Sequence, residues 1–303
     1  MHEGGLRAII AAFLANLGIA IAKLVGFVFT GSASMLAEAI HSAADTTNQG
    51  LLLLGRRQAL KPATPEHPFG HGRERFFWSF VVALVIFSFG AVFALFEGID
   101  KLREPHELES VGWAIGILLF AIVLESYSFR TAIHESRTLK GDESWWEFIR
   151  RSRVPELPVL LLEDLGALVG LTFALTGVIV AKLTDNARFD AMGSIAIGIL
   201  LASIAVILVV EMKSLLIGES ATPAQRQAIA DAIEAHKQTT RVIHMRTEHL
   251  GPEELLVGAK VEFVNGLTLA KLATAIDSVE KAIRAAVPDA RVIYIEPDIY
   301  RAE

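Results

Sequence analysis

The chain of 303 residues contains no cysteine. Thiolate metal sites and disulfides are therefore excluded, and a soft metal ion has only imidazole and carboxylate to hold it. No GxxxxGK[ST] phosphate loop occurs, which removes an ATP-driven pump. No HExxH run occurs either; the nearest approach is HESR at His134, so nothing points to a metalloprotease or to any other enzyme. Concentrated positive charge is also missing. The net charge of −6 is spread over loops and tail with no large basic face, which argues against nucleic-acid binding. The opening residues MHEGGLRAII lack a charged n-region, a short apolar core and a small-residue cleavage site. They read as the start of a retained membrane segment, and with no Arg-rich, acid-poor transit peptide the expected location is a bacterial or archaeal plasma (inner) membrane.

What is present is apolar. Hydrophobic residues make up 52% of the chain, and the mean hydropathy is +0.46, which together describe a polytopic membrane protein lying in a lipid bilayer. Six segments of about 20 or more mainly apolar residues read as spans: 6–29, 33–55, 76–99, 110–132, 157–182 and 190–213. From 219 onward the composition is mixed, so the expected division is a six-helix transmembrane domain over 1–218 and a soluble domain over 219–303. The connection after the second span carries Arg56, Arg57, Lys61, Arg73 and Arg75, and that after the fourth carries Arg130, Arg137, Lys140, Arg150, Arg151 and Arg153. The other loops hold two basic residues or none, so the positive-inside rule puts both termini in the cytoplasm.

In the tail, TPAQRQAIADAIEAHKQT opens on a Thr cap and repeats apolar residues at helical spacing. RVIHMRTEHL and LLVGAKVEFV alternate as strands, TLAKLATAIDSVEKAIRAAVP is a second helix capped near Thr268, and ARVIYIEP is a last strand. The order αββαβ over about 80 residues predicts a small α+β, ferredoxin-like domain with an antiparallel or mixed sheet. His236 and His249 read as surface residues of it.

The second span carries Glu38, His41, Asp45 and Asn48, at steps of three, four and three, which put all four on one helical face. A carboxylate at the bilayer centre costs about 2.5 to 3.5 kcal/mol, so Glu38 and Asp45 together cost roughly 6 kcal/mol if unpaired. The fifth span adds Glu163 and Asp164. A hydrogen-bonded polar cluster that only joins helices would bury several like charges, whereas a bound cation would neutralise them. Glu125 in the fourth span, followed by Arg130, reads first as an intramembrane ion-pair member and second as a proton-transfer group. Lys23 in the first span reads as a counter-charge, and Asp190 serves either helix start or ion access at the outer end of the sixth span.

Three motifs carry a resemblance to a known family: HSAAD (His41 to Asp45), HPFGHGRER with His67 and His71, and FDAMGSIAIGILL with Asp190 and Ser194. Together with six spans and the αββαβ tail, they make the chain resemble the cation diffusion facilitator family of divalent-metal transporters. GSASMLAEAIHSAADTTNQGLLLLG, RSRVPELPVLLLEDLGALVG and LLIGES resemble its subgroup that includes the mitochondrial zinc exporters. The resemblance implies a homodimer, with spans one, two, four and five moving against a scaffold of three and six. It also implies a central site of two ligands from each of spans two and five. Here Asp164 stands at the expected acid, but the position four before it is Leu160 rather than His.

Zinc takes four ligands at about 2.0 to 2.2 Å. His41, Asp45 and Asp164 supply three, and Glu163 ranks first for the fourth although one residue turns it about 100° around the helix. Glu38, Asn48 or water are the alternatives. His67 and His71 match a second, exposed family site whose acid is replaced by Thr64, with Glu66 adjacent. In the tail, His244 and Glu296 match family ligand positions, but Lys260 and Tyr294 stand where His is expected, so a binuclear tail site is not expected.

Metal and protons compete for the same imidazole and carboxylate lone pairs, which is the physical basis of antiport. The expected activity is export of Zn²⁺ from the cytoplasm in exchange for protons by alternating access, with no organic cofactor. An oxygen-rich site also admits Mn²⁺, Co²⁺ and Fe²⁺. A passive cation channel or a membrane metal sensor is the alternative reading.

Overall fold

The computed structural model describes residues 4–30, 33–104 and 111–301; the side chains of residues 4, 29, 30, 33–38, 40 and 41 lie outside that description, which includes Glu38 and His41. The helices are α1 (Gly4–Thr30), α2 (Ala33–Ala59), α3 (Glu74–Val85), α4 (Phe93–Arg103), α5 (Val111–Lys140), α6 (Trp145–Arg151), α7 (Glu156–Thr184) and α8 (Arg188–Ile217). α3 continues into α4 through a π-helical stretch, Ile86–Val92, so Glu74–Arg103 forms one span. Among the described residues, five helical segments are long and apolar enough to cross a membrane: Gly5–Val28, Glu74–Arg103, Val111–Lys140, Glu156–Thr184 and Arg188–Ile217. α2 falls short in apolar content because it holds the polar stripe, yet its 27 residues extend about 40 Å, ample for a bilayer.

The spans run past their expected ends. α5 continues to Lys140, so Arg130 and Arg137 belong to the helix rather than to a loop. The short α6 is capped by Ser144, whose hydroxyl accepts from the Glu147 backbone N–H while the Glu147 carboxylate accepts from the Ser144 N–H. Those bonds from Ser144 hold the Glu147 carboxyl below its ordinary pKa. α7 ends where Asp185 turns left-handed at φ 48°.

Two compact units result: one comprises Met1–Gln58 with Glu74–Lys213, the other Ala59–Arg73 with Ser214–Glu303. In the first, α1 packs on α5 and α7, and α5 on α7. α8 meets α4 through glycines, Gly98 against Ile195 and Gly198 against Leu95, and meets α7 where Gly177 lies against Phe189 and Gly193 against Phe173. Leu14, Phe89, Phe96, Val123 and Val206 remain on outer helix faces, suited to hydrocarbon.

In the second unit, α9 (Pro223–Glu234) follows a capping box of Thr222 and Gln225, and α10 (Leu269–Ala286) starts at Thr268, whose hydroxyl accepts from the Lys271 N–H. β1 (Thr239–Gly251) pairs antiparallel with β2 (Glu254–Phe263), and β2 pairs parallel with β3 (Ala290–Pro297) across the α10 crossover. The predicted αββαβ order and the mixed sheet are both present. Ile229, Ile233, Leu255, Val257, Val279 and Ile283 form the core.

One expectation is corrected here. His249 is buried, with 1% of its surface exposed, rather than on the surface. The end of β1 is covered: the His249 N–H donates to the Glu219 carbonyl, and Gly72 lies against Leu250 and Gly251. An ion pair of Arg73 with Glu248 holds the same segment. Strand alternation carries no information about a distant loop laid over a strand end.

Candidate functional site

α7 is enclosed all round at its start, every residue from Glu156 to Gly166 except Leu165 being buried. Full enclosure lets two adjacent carboxylates, a third of a turn apart, both lie inside. Glu163 faces α2: its Oε1 accepts from Asn48 Nδ2 at 3.0 Å and its Oε2 from Gln49 Nε2 at 3.0 Å. Asp164 faces α5, where its Oδ2 accepts from the Ser128 hydroxyl at 2.8 Å. The other Asp164 oxygen, Oδ1, is buried with no hydrogen-bond partner among the described residues, and so is Asn48 Oδ1. Gln49 is held in turn by Asn16 of α1, whose Nδ2 donates to Gln49 Oε1 at 3.2 Å.

Further charge converges on this point. Glu125 lies three residues before Ser128 on the same stripe of α5 and is buried at 4% exposure. Its carboxyl is near enough to Asp164, Asp45 and Lys23 to interact with each, and Glu163 interacts with Asp45 and Glu125. Asp45 is half-buried on α2. Lys23, itself 6% exposed, is the nearby cation; Glu125 therefore has its counter-charge from α1 rather than from Arg130.

Of the residues expected from sequence, Asp45, Asn48, Glu125, Glu163 and Asp164 are thus brought together where α2, α5 and α7 meet. Glu38 and His41 lie on the same helix, with side chains outside the described residues. Among the described residues, no three His, Asp or Glu side chains are arranged to hold a metal ion. Both Glu163 oxygens are engaged by amides, whereas Asp164 presents one oxygen that no other described residue engages. Asn16 and Ser128 were not anticipated. Their signal was available: Asn16 is a lone amide in an apolar span, and Ser128 follows Glu125 at a helical step of three.

Asp190, at the start of α8, pairs with Lys101 at 3.1 Å, and Lys101 also pairs with Glu97 at 2.9 Å, joining α4 to α8. In the second unit, His67 and His71 stack edge to face with centroids 4.7 Å apart, and His71 Nδ1 is buried with no hydrogen-bond partner among the described residues. The His67 N–H donates to the Thr64 hydroxyl, so the residue at the expected acid position builds the turn. On the sheet, His244, Lys260 and Glu296 are neighbours in register across β1, β2 and β3. His244 Nε2 accepts from Arg246 at 3.0 Å. Lys260 Nζ lies 3.1 Å from Glu296 and 3.3 Å from Asp298. Its hydrogen bonds to Glu296 and Asp298 raise the Lys260 pKa, while the Ile299 N–H and then Lys260 lower that of Asp298. A protein ammonium occupies the place between those carboxylates.

A family model described as the cation efflux transmembrane domain matches residues 9–217. The chain is 34% identical over 243 residues to the mitochondrial proton-coupled zinc antiporter SLC30A9 of Xenopus laevis, aligning 80% of this chain but 44% of the antiporter's length. It is 25% identical over 259 residues to metal tolerance protein C4 of Arabidopsis thaliana, covering 85% of this chain and 57% of that protein. It is 26% identical over 287 residues to the cation-efflux pump FieF of Salmonella arizonae, covering 95% of this chain and 90% of the pump. A match over most of the chain, a polar cluster inside a helical membrane domain and an αββαβ unit lead to one conclusion: this multi-pass membrane protein belongs to the cation diffusion facilitator family of cation-efflux transporters.

Proposed function

We propose that the chain exports divalent metal, Zn²⁺ first, from the cytoplasm in exchange for protons, binding it where α2, α5 and α7 meet. The observation that carries the reading is a pair of buried oxygens, Asp164 Oδ1 and Asn48 Oδ1, that accept from no group among the described residues and lie within a carboxylate cluster. A buried acceptor left unmade costs about 1–3 kcal/mol, more when charged, and a cation removes that cost. Asp45, Asp164 and His41, one helical turn before Asp45, are the proposed ligands. Asn48 Oδ1 and Glu163 compete for the fourth place, the latter through the lone pairs that its two amide donors leave free. Glu38 is the remaining acid on the α2 stripe.

Cation binding needs neutral imidazole and ionised carboxylates, so metal arriving at this cluster displaces protons and protons displace metal. Glu125, beside Asp164 and Lys23, lies where it can relay them. The 34% identity to a protein named a proton-coupled zinc antiporter supports the same exchange. An oxygen-rich site widens the cargo to Mn²⁺, Co²⁺ and Fe²⁺. For alternating access, α1, α2, α5 and α7 rock against α3–α4 and α8, with Asp190–Lys101 bracing the latter pair. The αββαβ unit joins two copies in a homodimer, His67 and His71 offer a second metal position, and His244 with Glu296 offers none while Lys260 is charged. Both termini lie in the cytoplasm, in a plasma membrane.

Reconstituted vesicles test this. Zn²⁺, Mn²⁺, Co²⁺ and Fe²⁺ uptake is followed together with lumenal pH for wild type and Asp45→Ala. Zinc uptake coupled to proton release, lost in Asp45→Ala, is expected. Zinc movement without any pH change makes the protein a channel, and normal transport by Asp45→Ala puts the cargo elsewhere.

A further inference from the structure

Asn16, Gln49 and Glu163 form a chain with one direction. An ionised carboxylate only accepts hydrogen bonds, so an amide facing it must present its nitrogen. Gln49 does so, with Nε2 on Glu163 Oε2. Its single oxygen then faces the other way, where only a donor is acceptable. Asn16 Nδ2 is that donor, at 3.2 Å and buried with it. The orientation of the Gln49 amide, and hence one of the two bonds that aim Glu163, is therefore set from α1.

We propose that Asn16 is a positioning residue for the transported cation: acting through Gln49 from a helix that supplies no proposed ligand, it fixes the Glu163 carboxylate and so sets metal affinity. The inference rests on the α2–α5–α7 cluster being the transport site. It differs from simple joining of helices in what it couples. If Asn16 and Gln49 only tie α1 to α2, the consequence of removing Asn16 is independent of Glu163. If the chain acts on the cation, the consequence passes through Glu163 and vanishes when that carboxylate is gone.

The experiment is a double-mutant cycle in the full chain: wild type, Asn16→Leu, Glu163→Ala and the double variant. It is read as KM and maximal rate for Zn²⁺ uptake into vesicles and, for any variant that does not transport, as Zn²⁺ affinity by calorimetry in detergent. Asn16→Leu is expected to raise KM about tenfold, the lower end of what an outer hydrogen-bond partner is worth to a metal site, with the maximal rate unchanged. In the Glu163→Ala background it is expected to change nothing. An unaltered KM in Asn16→Leu, or an equal change in both backgrounds, overturns the proposal. Asn16→Ala serves where the leucine variant does not fold. It removes the donor and leaves the Gln49 amide unheld from α1, so it too must raise KM, and a wild-type value overturns the proposal. Asp45→Ala separates the two levels. Its retention of transport overturns the site itself, whereas its loss of transport beside a wild-type KM in Asn16→Leu overturns only the role of Asn16.

Discussion

Arg75 and Glu156 form a buried ion pair, Glu156 being 1% exposed at the start of α7 and Arg75 lying at the start of α3. The guanidinium approaches both carboxylate oxygens, Nε with Oε1 and Nη2 with Oε2 at 2.8 Å. Two-pronged geometry of this kind suits arginine and not lysine. Removing one partner strands a buried charge, so Arg75→Met is expected to destabilise by about 3–5 kcal/mol, while Arg75→Met with Glu156→Leu recovers most of the loss. Thermal unfolding in detergent reads both, and equal losses in the single and double variants would refute the pairing argument. Arg75 in the sequence is simply one of five basic residues near a loop, and its partner lies 81 positions away. The acids of the site were legible singly for the opposite reason. Each lies in a membrane span, where its cost announces it. Which acid faces which helix was not legible, because adjacent residues on α7 turn to different neighbours.

At the level of elements, the α4–α8 contact depends on absent side chains. A Cβ on Gly98 would stand 2.7 Å from Ile195 Cγ1 and 2.8 Å from the Ile195 nitrogen, the latter being backbone that cannot turn aside. Gly116 on α5 has nothing within 4 Å of the same position. Gly98→Ala is therefore expected to cost about 1–3 kcal/mol by overpacking, and Gly116→Ala to gain about 0.5–1 kcal/mol from helix propensity. Opposite shifts of the melting temperature in detergent check the pair; a stabilised Gly98→Ala would mean that the two helices do not meet there. The length of the apolar runs located both helices, but a glycine at an interface and one facing hydrocarbon are the same letter. The π-helical stretch Ile86–Val92 is equally silent, since an apolar run looks alike whatever its winding.

For the whole molecule, the lack of cysteine becomes a tool. The positive-inside pattern assigns the 59–73 segment to the cytoplasm, and the turn at 185–187 falls on the opposite face by the order of spans. Glu66→Cys and Asn186→Cys each introduce a single thiol into a cysteine-free background. An impermeant maleimide applied to intact cells is expected to label Asn186→Cys at once and Glu66→Cys only after permeabilisation. The reverse result inverts the topology and with it the direction of transport.

Sequence alone determined what depends on local composition and period: the spans, the αββαβ tail with its caps at Thr222 and Thr268, and the costly acids of a transport domain. These are readable because burial in lipid or in a sheet imposes a regular pattern on neighbouring residues. Only the tertiary structure decided which groups satisfy one another. It gave Glu163 to the amides of Asn48 and Gln49, Asp164 to Ser128, Asp190 to Lys101, and the end of β1 to the segment around Gly72. Hydrogen bonds and ion pairs join partners tens to hundreds of positions apart, and no spacing rule reaches that far.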